Sequence, residues 1–185
     1  MIWTTTERGE LRLTEKKMTT MEPPDRDEAD LDYPDCLLVC PDFVLGTLSL
    51  TVTDLVEEAL APLNLRLRHY QLLRLLHFDG PRLQSRIGPV LGVDRTTVVA
   101  LVDQLEKLKL AKRVRSPDDR RAYMIAATAK GKRLAIKATE LVGKVEASMF
   151  APLSVEEQNV VRKLSARLLS EPGILADVHA RAVRR

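Results

Sequence analysis

The 185-residue chain is poor in aromatic residues, cysteine and histidine. Phe, Trp and Tyr make up only 4% of it, so Leu, Val and Ala have to fill the core. Two cysteines, Cys36 and Cys40, cannot build a disulfide framework. Three histidines leave little for a metal centre: His69 and His77 stand too far apart for an i, i+4 ligand pair, and His179 is near the end. No metal and no cofactor is expected. No apolar run approaches the roughly 18 residues of a membrane span. The opening MIWTTTERGELRLTEKK lacks the apolar core of a signal peptide. A cytoplasmic protein with no membrane partner follows as the expectation. A phosphate loop, a GxSxG and a CxxC are all missing, and no Ser, His and Asp spacing outlines a triad. An enzyme is therefore not expected.

What is present is charge, unevenly placed. Residues 1–60 hold 5 Lys/Arg against 14 Asp/Glu, a net of −9. Residues 66–133 hold 16 against 6, a net of +10, although the whole chain carries only +3. A basic middle segment is the electrostatic footprint of a polyanion binder.

Along the chain, residues 1–35 are polar and acidic, as in MEPPDRDEADLDYPD, and read as a disordered tail. Apolar residues then recur at helical spacing from Phe43 to Ala61, and Pro62 and Asn64 end that helix. Arg68 to Phe78 is a second helix, stopped by Asp79-Gly80-Pro81. A short helix from Leu83 to Leu91 meets Gly92, and Asp94 is a good N-cap for the next one. That next helix buries Val98, Leu101, Val102 and Leu105 and presents Arg95, Thr96, Val99, Ala100 and Asp103 on its other side. Short helix, tight turn and longer helix make a helix-turn-helix, whose second helix can enter a major groove.

The stretch RVRSPDDRRAYMIAAT follows, with six charges between two short apolar runs. Leu110 to Val114 and Ala122 to Ala126 suit paired strands, and Ser116-Pro117-Asp118-Asp119 is turn chemistry. A hairpin directly after a helix-turn-helix is a wing, and its arginines suit phosphates and the minor groove. Thr128 caps a long helix running to about Phe150, and Ser154 with Glu157 forms a capping box. The last helix carries Val160, Val161, Leu164 and Leu168 as its apolar stripe. The fold class is mainly α with a small β-hairpin wing: a winged helix-turn-helix DNA-binding domain flanked by further helices.

The run VLGVDRTTVVALVDQLEKLKLAKRVRSPDDRRAYMIAATAKGKRL resembles the signature region of the MarR family of transcription regulators. The resemblance covers about residues 43–169. It implies a homodimer, a pseudo-palindromic operator in double-stranded DNA, repression as the usual mode, and release by a small aromatic or anionic effector. The effector pocket is not assigned from the sequence. The resemblance divides the chain into an acidic tail (1–35), a first dimerisation helix (36–64), the winged helix-turn-helix (65–128), C-terminal dimerisation helices (129–171) and a tail (172–185).

It also carries DNA-contacting roles onto matching positions. Arg95, Thr96 and Thr97 open the recognition helix and would meet bases and phosphates. Val99 and Ala100 offer only apolar contact, for example to thymine methyls. Arg121 matches the family's minor-groove arginine, Asp119 the acid that orients it through an ion pair, and Arg120 a phosphate contact or second strut. Gln84, Ser85 and Arg86 would touch backbone phosphates. Two departures stand out. Lys109 occupies a position where the family commonly has Gly, at a cost of about 1 kcal/mol if the left-handed turn is kept. Pro89 sits inside the short helix, where proline interrupts the bonding.

Alternatives remain at this level. Cys36 and Cys40, at i, i+4 spacing in DCLLVCP, fit a redox sensor as some relatives have, but they also fit two small hydrophobes beside Leu37, Leu38 and Val39. No Lys, Arg or His neighbours them in sequence to activate a thiol. A winged helix used only for protein–protein contact is the other alternative, although such modules usually lose the wing arginines.

Overall fold

Proline opens the first long helix. In the computed structural model, Pro41 stands first in α2 (Pro41–Leu60), where its fixed φ suits the helix and its missing N–H has no intrahelical partner to lose. The structure describes residues 2–5, 11–14, 33–117, 119 and 121–174. The chain divides into two compact units, Met1–Thr51 and Val52–Arg185, with the boundary inside α2.

The first unit holds two short strands, β1 (Ile2–Thr5) and β2 (Leu11–Thr14), paired antiparallel with Ile2 opposite Thr14 and Thr5 opposite Leu11. This corrects part of the expected disordered tail. IWTT and LRLT are rich in β-branched and apolar residues, which favour pairing over the coil that the acidic composition implied. A single-turn helix, α1 (Asp35–Leu38), precedes α2, and the Tyr33 and Phe43 rings meet edge-on with centroids 5.5 Å apart.

In the second unit α2 ends in a 3-10 turn at Ala61–Leu63, and Asn64 takes a left-handed φ of 54° that turns the chain into α3 (Leu67–Phe78). A two-residue strand, β3 (Arg82–Leu83), leads into α4 (Gln84–Leu91) and α5 (Arg95–Lys107). Then come β4 (Ala111–Arg115), β5 (Tyr123–Ala127), α6 (Ala129–Phe150) and α7 (Val155–Leu169). The sheet order is β3-β5-β4, all antiparallel. Leu83 therefore belongs to a strand and not to the helix expected from it. A two-residue strand has no periodicity to read, and its pairing with β5 is decided by long-range contact.

The core gathers Leu60, Leu72, Leu73, Leu76, Ile87, Val98, Val102, Leu105 and Ile125, all fully buried. Ala135 and Ala138 of α6 are buried too, so small side chains let α6 lie close against α3. Residues expected as separate DNA-binding and C-terminal segments thus share one core. Three caps read from sequence are in place. Asp94 accepts from the Thr97 N–H at 2.9 Å, Thr128 from the Gly131 N–H at 3.0 Å, and Ser154 from the Glu157 N–H at 3.3 Å. Glu157 answers by accepting the Ser154 N–H at 2.7 Å. The stripe of α7 is exposed: Val160, Val161, Leu164 and Leu168 are each at least 40% accessible.

Candidate nucleic-acid interface

The helix-turn-helix is held by one close approach. The Val93 N–H donates to the Gly88 carbonyl at 3.0 Å, and Gly92 takes the left-handed conformation, φ 62°, that reverses the chain. A Cβ on Gly88 would lie 2.8 Å from the Val93 carbonyl oxygen, so no larger residue fits there unshifted. α4 continues through Pro89 to Leu91. Proline near the end of an eight-residue helix forfeits one backbone bond and leaves the rest of the turn intact.

Asp94 then starts the recognition helix. Besides taking the Thr97 N–H, its carboxylate accepts the Thr97 hydroxyl at 2.6 Å. The hydroxyl bond, followed by the backbone bond, holds the Asp94 carboxyl below its usual range. Thr97 is half-buried and its hydroxyl donates to Asp94, which makes it a partner in the cap. Arg95, Thr96, Val99 and Ala100 lie exposed on the opposite side from buried Val98, Leu101, Val102 and Leu105.

α5 ends in a Schellman motif. The Leu110 N–H reaches the Leu105 carbonyl at 2.8 Å and the Lys109 N–H reaches that of Glu106 at 2.9 Å. Lys109 holds the left-handed position, φ 59°, so the turn is kept despite the side chain. The Thr128 hydroxyl donates to the Lys109 carbonyl at 2.8 Å, which secures this turn from behind.

The wing strands pair from Ala111 opposite Ala127 to Arg115 opposite Tyr123. Each is one residue further along than the sequence implied, Ala111–Arg115 and Tyr123–Ala127. The Arg115 guanidinium stacks over the Tyr123 ring at 4.4 Å, an attraction of cation and ring face. At the tip the Ser116 N–H bonds the Ala122 carbonyl at 3.0 Å, and the Ala122 N–H returns to the Asp119 carbonyl at 3.0 Å. Asp119 Oδ1 accepts the backbone N–H of Arg121 at 2.8 Å. Asp119 thus meets Arg121 through a turn contact along the backbone, where the resemblance implied an ion pair between side chains. The Arg121 side chain is exposed at the wing. Arg120 lies outside the described residues.

Sequence reasoning missed the residue that joins wing to recognition helix. Arg113 of β4 pairs with Asp103 at 2.7 Å and with Glu106, both on α5, and its Nε donates to Gln84 Oε1 at 3.3 Å. Its backbone N–H also donates to Glu106 at 2.7 Å. Burial alone would lower the pKa of this guanidinium, but bonds and charges from Asp103 and Glu106 outweigh it and raise the value. Gln84, expected to face phosphates, is thus half-buried and engaged through its oxygen, while Ser85 and Arg86 beside it are exposed. His69 ties α3 to the recognition helix as well: it accepts the Arg66 N–H at 3.3 Å and meets Gln104 of α5 at 2.5 Å. With Nδ1 accepting, Nε2 carries the proton and donates to Gln104.

Both cysteines are free, and the Cys40 thiol donates to the Cys36 carbonyl at 3.2 Å. Among the described residues no group of three or more His, Cys, Asp or Glu could hold a metal ion, and no helix is long and apolar enough to cross a membrane.

A helix-turn-helix with an exposed polar helix start, followed at once by a hairpin rich in arginine, is a winged helix-turn-helix. The profile of the MarR family matches residues 63–122. The chain is 31% identical over 114 residues to the HTH-type transcriptional regulator YhbI of Bacillus subtilis (strain 168), covering 62% of this chain and 74% of YhbI. A MarR-family transcriptional regulator from Rhodococcus sp. RHA1 is 31% identical, with a TM-score of 0.61 over 69% of this chain and 90% of that one. CouR of Rhodococcus jostii RHA1, solved bound to p-coumaroyl-CoA, is 28% identical, with a TM-score of 0.63 over 74% and 94%. The repressor CouR bound to a 23-mer DNA duplex matches at 28% identity and a TM-score of 0.64 over 70% and 92%. The chain belongs to the MarR family. It is a DNA-binding transcriptional regulator, not an enzyme.

Proposed function

We propose that the protein acts in the cytoplasm as a homodimeric repressor that binds a pseudo-palindromic operator and leaves it when a small aromatic or anionic effector binds. The observation that carries the DNA reading is the joint exposure of Arg95 and Thr96 at the start of α5 and of Arg121 on the wing, within a segment of net charge +10. The helix start meets base edges in the major groove. Arg121 follows the backbone into the neighbouring minor groove, with Asp119 shaping its turn and Arg120 adding charge. Val99 and Ala100 supply apolar contact, and Ser85 and Arg86 reach phosphates at the start of α4, with Gln84 contributing through its amide hydrogens. The exposed stripe of α7 supports the dimer, because uncovered Leu and Val in a row mark a surface built for association. CouR bound to DNA and to p-coumaroyl-CoA supports release by a ligand.

The test is fluorescence anisotropy of the full chain with duplex DNA from upstream of its own gene, against scrambled DNA, across a salt series. Tight, selective and salt-sensitive binding is the expected result. Equal weak binding to both duplexes contradicts an operator role, and no binding at low salt points to a protein–protein module.

A further inference from the structure

Strand β4 of the wing carries two arginines with different surroundings. Arg113 turns toward α5 and is held there by Asp103 and Glu106. Side chains two residues apart on a strand share a face, so Arg115 stands on that same face, about 7 Å nearer the tip. Its cross-strand partner is Tyr123, and the guanidinium lies 4.4 Å from the centre of the Tyr123 ring. This is the last pair of the two strands. The next bond, from the Ser116 N–H to the Ala122 carbonyl, already belongs to the tip. Arg115 and Tyr123 are both exposed, Tyr123 by 40%. Stacking uses the flat face of a guanidinium and none of the five N–H donors in its plane. The ring also holds the long side chain in place beforehand, so less freedom is lost when the guanidinium meets an anion. The stack therefore presents an oriented cation on the helix-facing side of the wing, just before the turn that carries Arg121.

We propose that Arg115, oriented by Tyr123, is a further DNA-binding residue, which takes a backbone phosphate between the major groove met by α5 and the minor groove met by Arg121. The assignment rests on the placement of DNA given under the proposed function. Neighbouring grooves of a duplex are separated by one sugar–phosphate backbone, so a helix in one and a wing tip in the next straddle a row of phosphates. Arg113 ties β4 to α5, and Arg115 follows it on the same face toward the tip, between the two groove contacts. A phosphate there can accept two guanidinium N–H bonds at once, and the Tyr123 hydroxyl can donate a third. Such a contact fixes where the duplex lies and reads no bases. Tyr123 is a positioning residue in this arrangement. A stack that only stiffened the hairpin would differ in one measurable respect. It would change affinity without releasing counterions, and so would leave the salt dependence alone.

Fluorescence anisotropy of the full chain with operator and scrambled duplexes, across a salt series, tests this. Arg115→Gln is expected to weaken binding to both duplexes by the same factor, about tenfold, and to lower the salt slope by about 1 per protomer. Arg115→Lys keeps the charge and is expected to keep the slope while losing part of the affinity. Tyr123→Leu is expected to weaken binding at unchanged slope, and Tyr123→Phe, which restores the ring, to recover most of that loss. Both side chains are exposed, so these variants keep the fold, checked by their thermal melts. A wild-type slope in folded Arg115→Gln, with or without a loss of affinity, overturns the phosphate contact. Wild-type binding by Tyr123→Leu overturns the orienting role of the ring. Arg95→Ala and Arg121→Ala, measured alongside, separate the two levels of the reading. If they lose affinity and Arg115→Gln does not, the assignment of Arg115 alone fails. If all three bind as the wild type does, the placement of DNA is wrong and the assignment falls with it.

Discussion

Arg113 Nη2 lies 2.7 Å from Asp103 Oδ1, and the same guanidinium grips Glu106 one turn further along α5. Strand β4 of the wing is thereby tied to the recognition helix. The side chain of Arg113 is only 23% exposed, whereas that of Asp103 is 49% exposed. The pair is semi-buried, so its worth lies between that of surface pairs and of fully buried ones. Arg113→Ala is expected to cost about 1–2 kcal/mol of stability. A double-mutant cycle with Asp103→Ala, read by urea unfolding, checks this; additivity of the two losses would show that the pair is not coupled.

The contrast between this cluster and the caps explains how far the sequence can be read. Asp94, Thr128 and Ser154 cap through bonds three residues long, so the local pattern contains both partners. The buried stripe of α5 is likewise a matter of spacing, and Val98, Leu101, Val102 and Leu105 are buried as its period requires. Arg113 finds Gln84 across 29 residues and Arg68 finds Leu91 across 23, and no local pattern encodes such pairs. In sequence Arg113 consequently reads as one more wing charge, and its bond to Gln84 is invisible. Thr97, which reads as DNA-facing from its position at a helix start, also gives its hydroxyl to the cap.

Lys109 keeps a left-handed turn, φ 59°, that glycine adopts without strain. Lys109→Gly is expected to stabilise the protein by about 0.5–1 kcal/mol, after the extra freedom of glycine in the unfolded chain is counted. A rise in urea midpoint at unchanged m-value checks it. A fall in midpoint would mean that the Lys side chain contributes more than the turn costs.

Two glycines of α6 behave in opposite ways. A Cβ on Gly131 would lie 1.9 Å from the Leu110 carbonyl oxygen, a backbone atom at the start of the wing, whereas one on Gly143 meets nothing within 4 Å. Gly131→Ala is expected to destabilise by about 3 kcal/mol through forced displacement. Gly143→Ala is expected to stabilise by roughly 0.5–1 kcal/mol through helix propensity. Thermal melts of the two variants check both signs.

The cap at Asp94 makes one contribution to stability dependent on pH. Its carboxyl is held below the ordinary 3.8, first by the Thr97 hydroxyl and then by the Thr97 N–H. A depressed folded-state value means that the contribution is fully present at neutral pH and is lost as pH falls below 3.8 through the folded value. Thr97→Val removes the hydroxyl bond, so it should lower Tm at neutral pH and flatten the acid fall in Tm. Identical Tm-against-pH curves for wild type and variant, from neutral pH down to about pH 3, would contradict this assignment.

The most direct measurement of the central claim is operator affinity against salt for the wild type, Arg95→Ala and Arg121→Ala. The expected outcome is a shallower salt slope for Arg121→Ala, by about 1 for each phosphate that a protomer no longer neutralises. Arg95→Ala should in addition narrow the gap between operator and scrambled DNA, by about 1–3 kcal/mol for each base it no longer reads. Wild-type affinity, slope and selectivity in both variants would contradict the placement of DNA on the start of α5 and the wing.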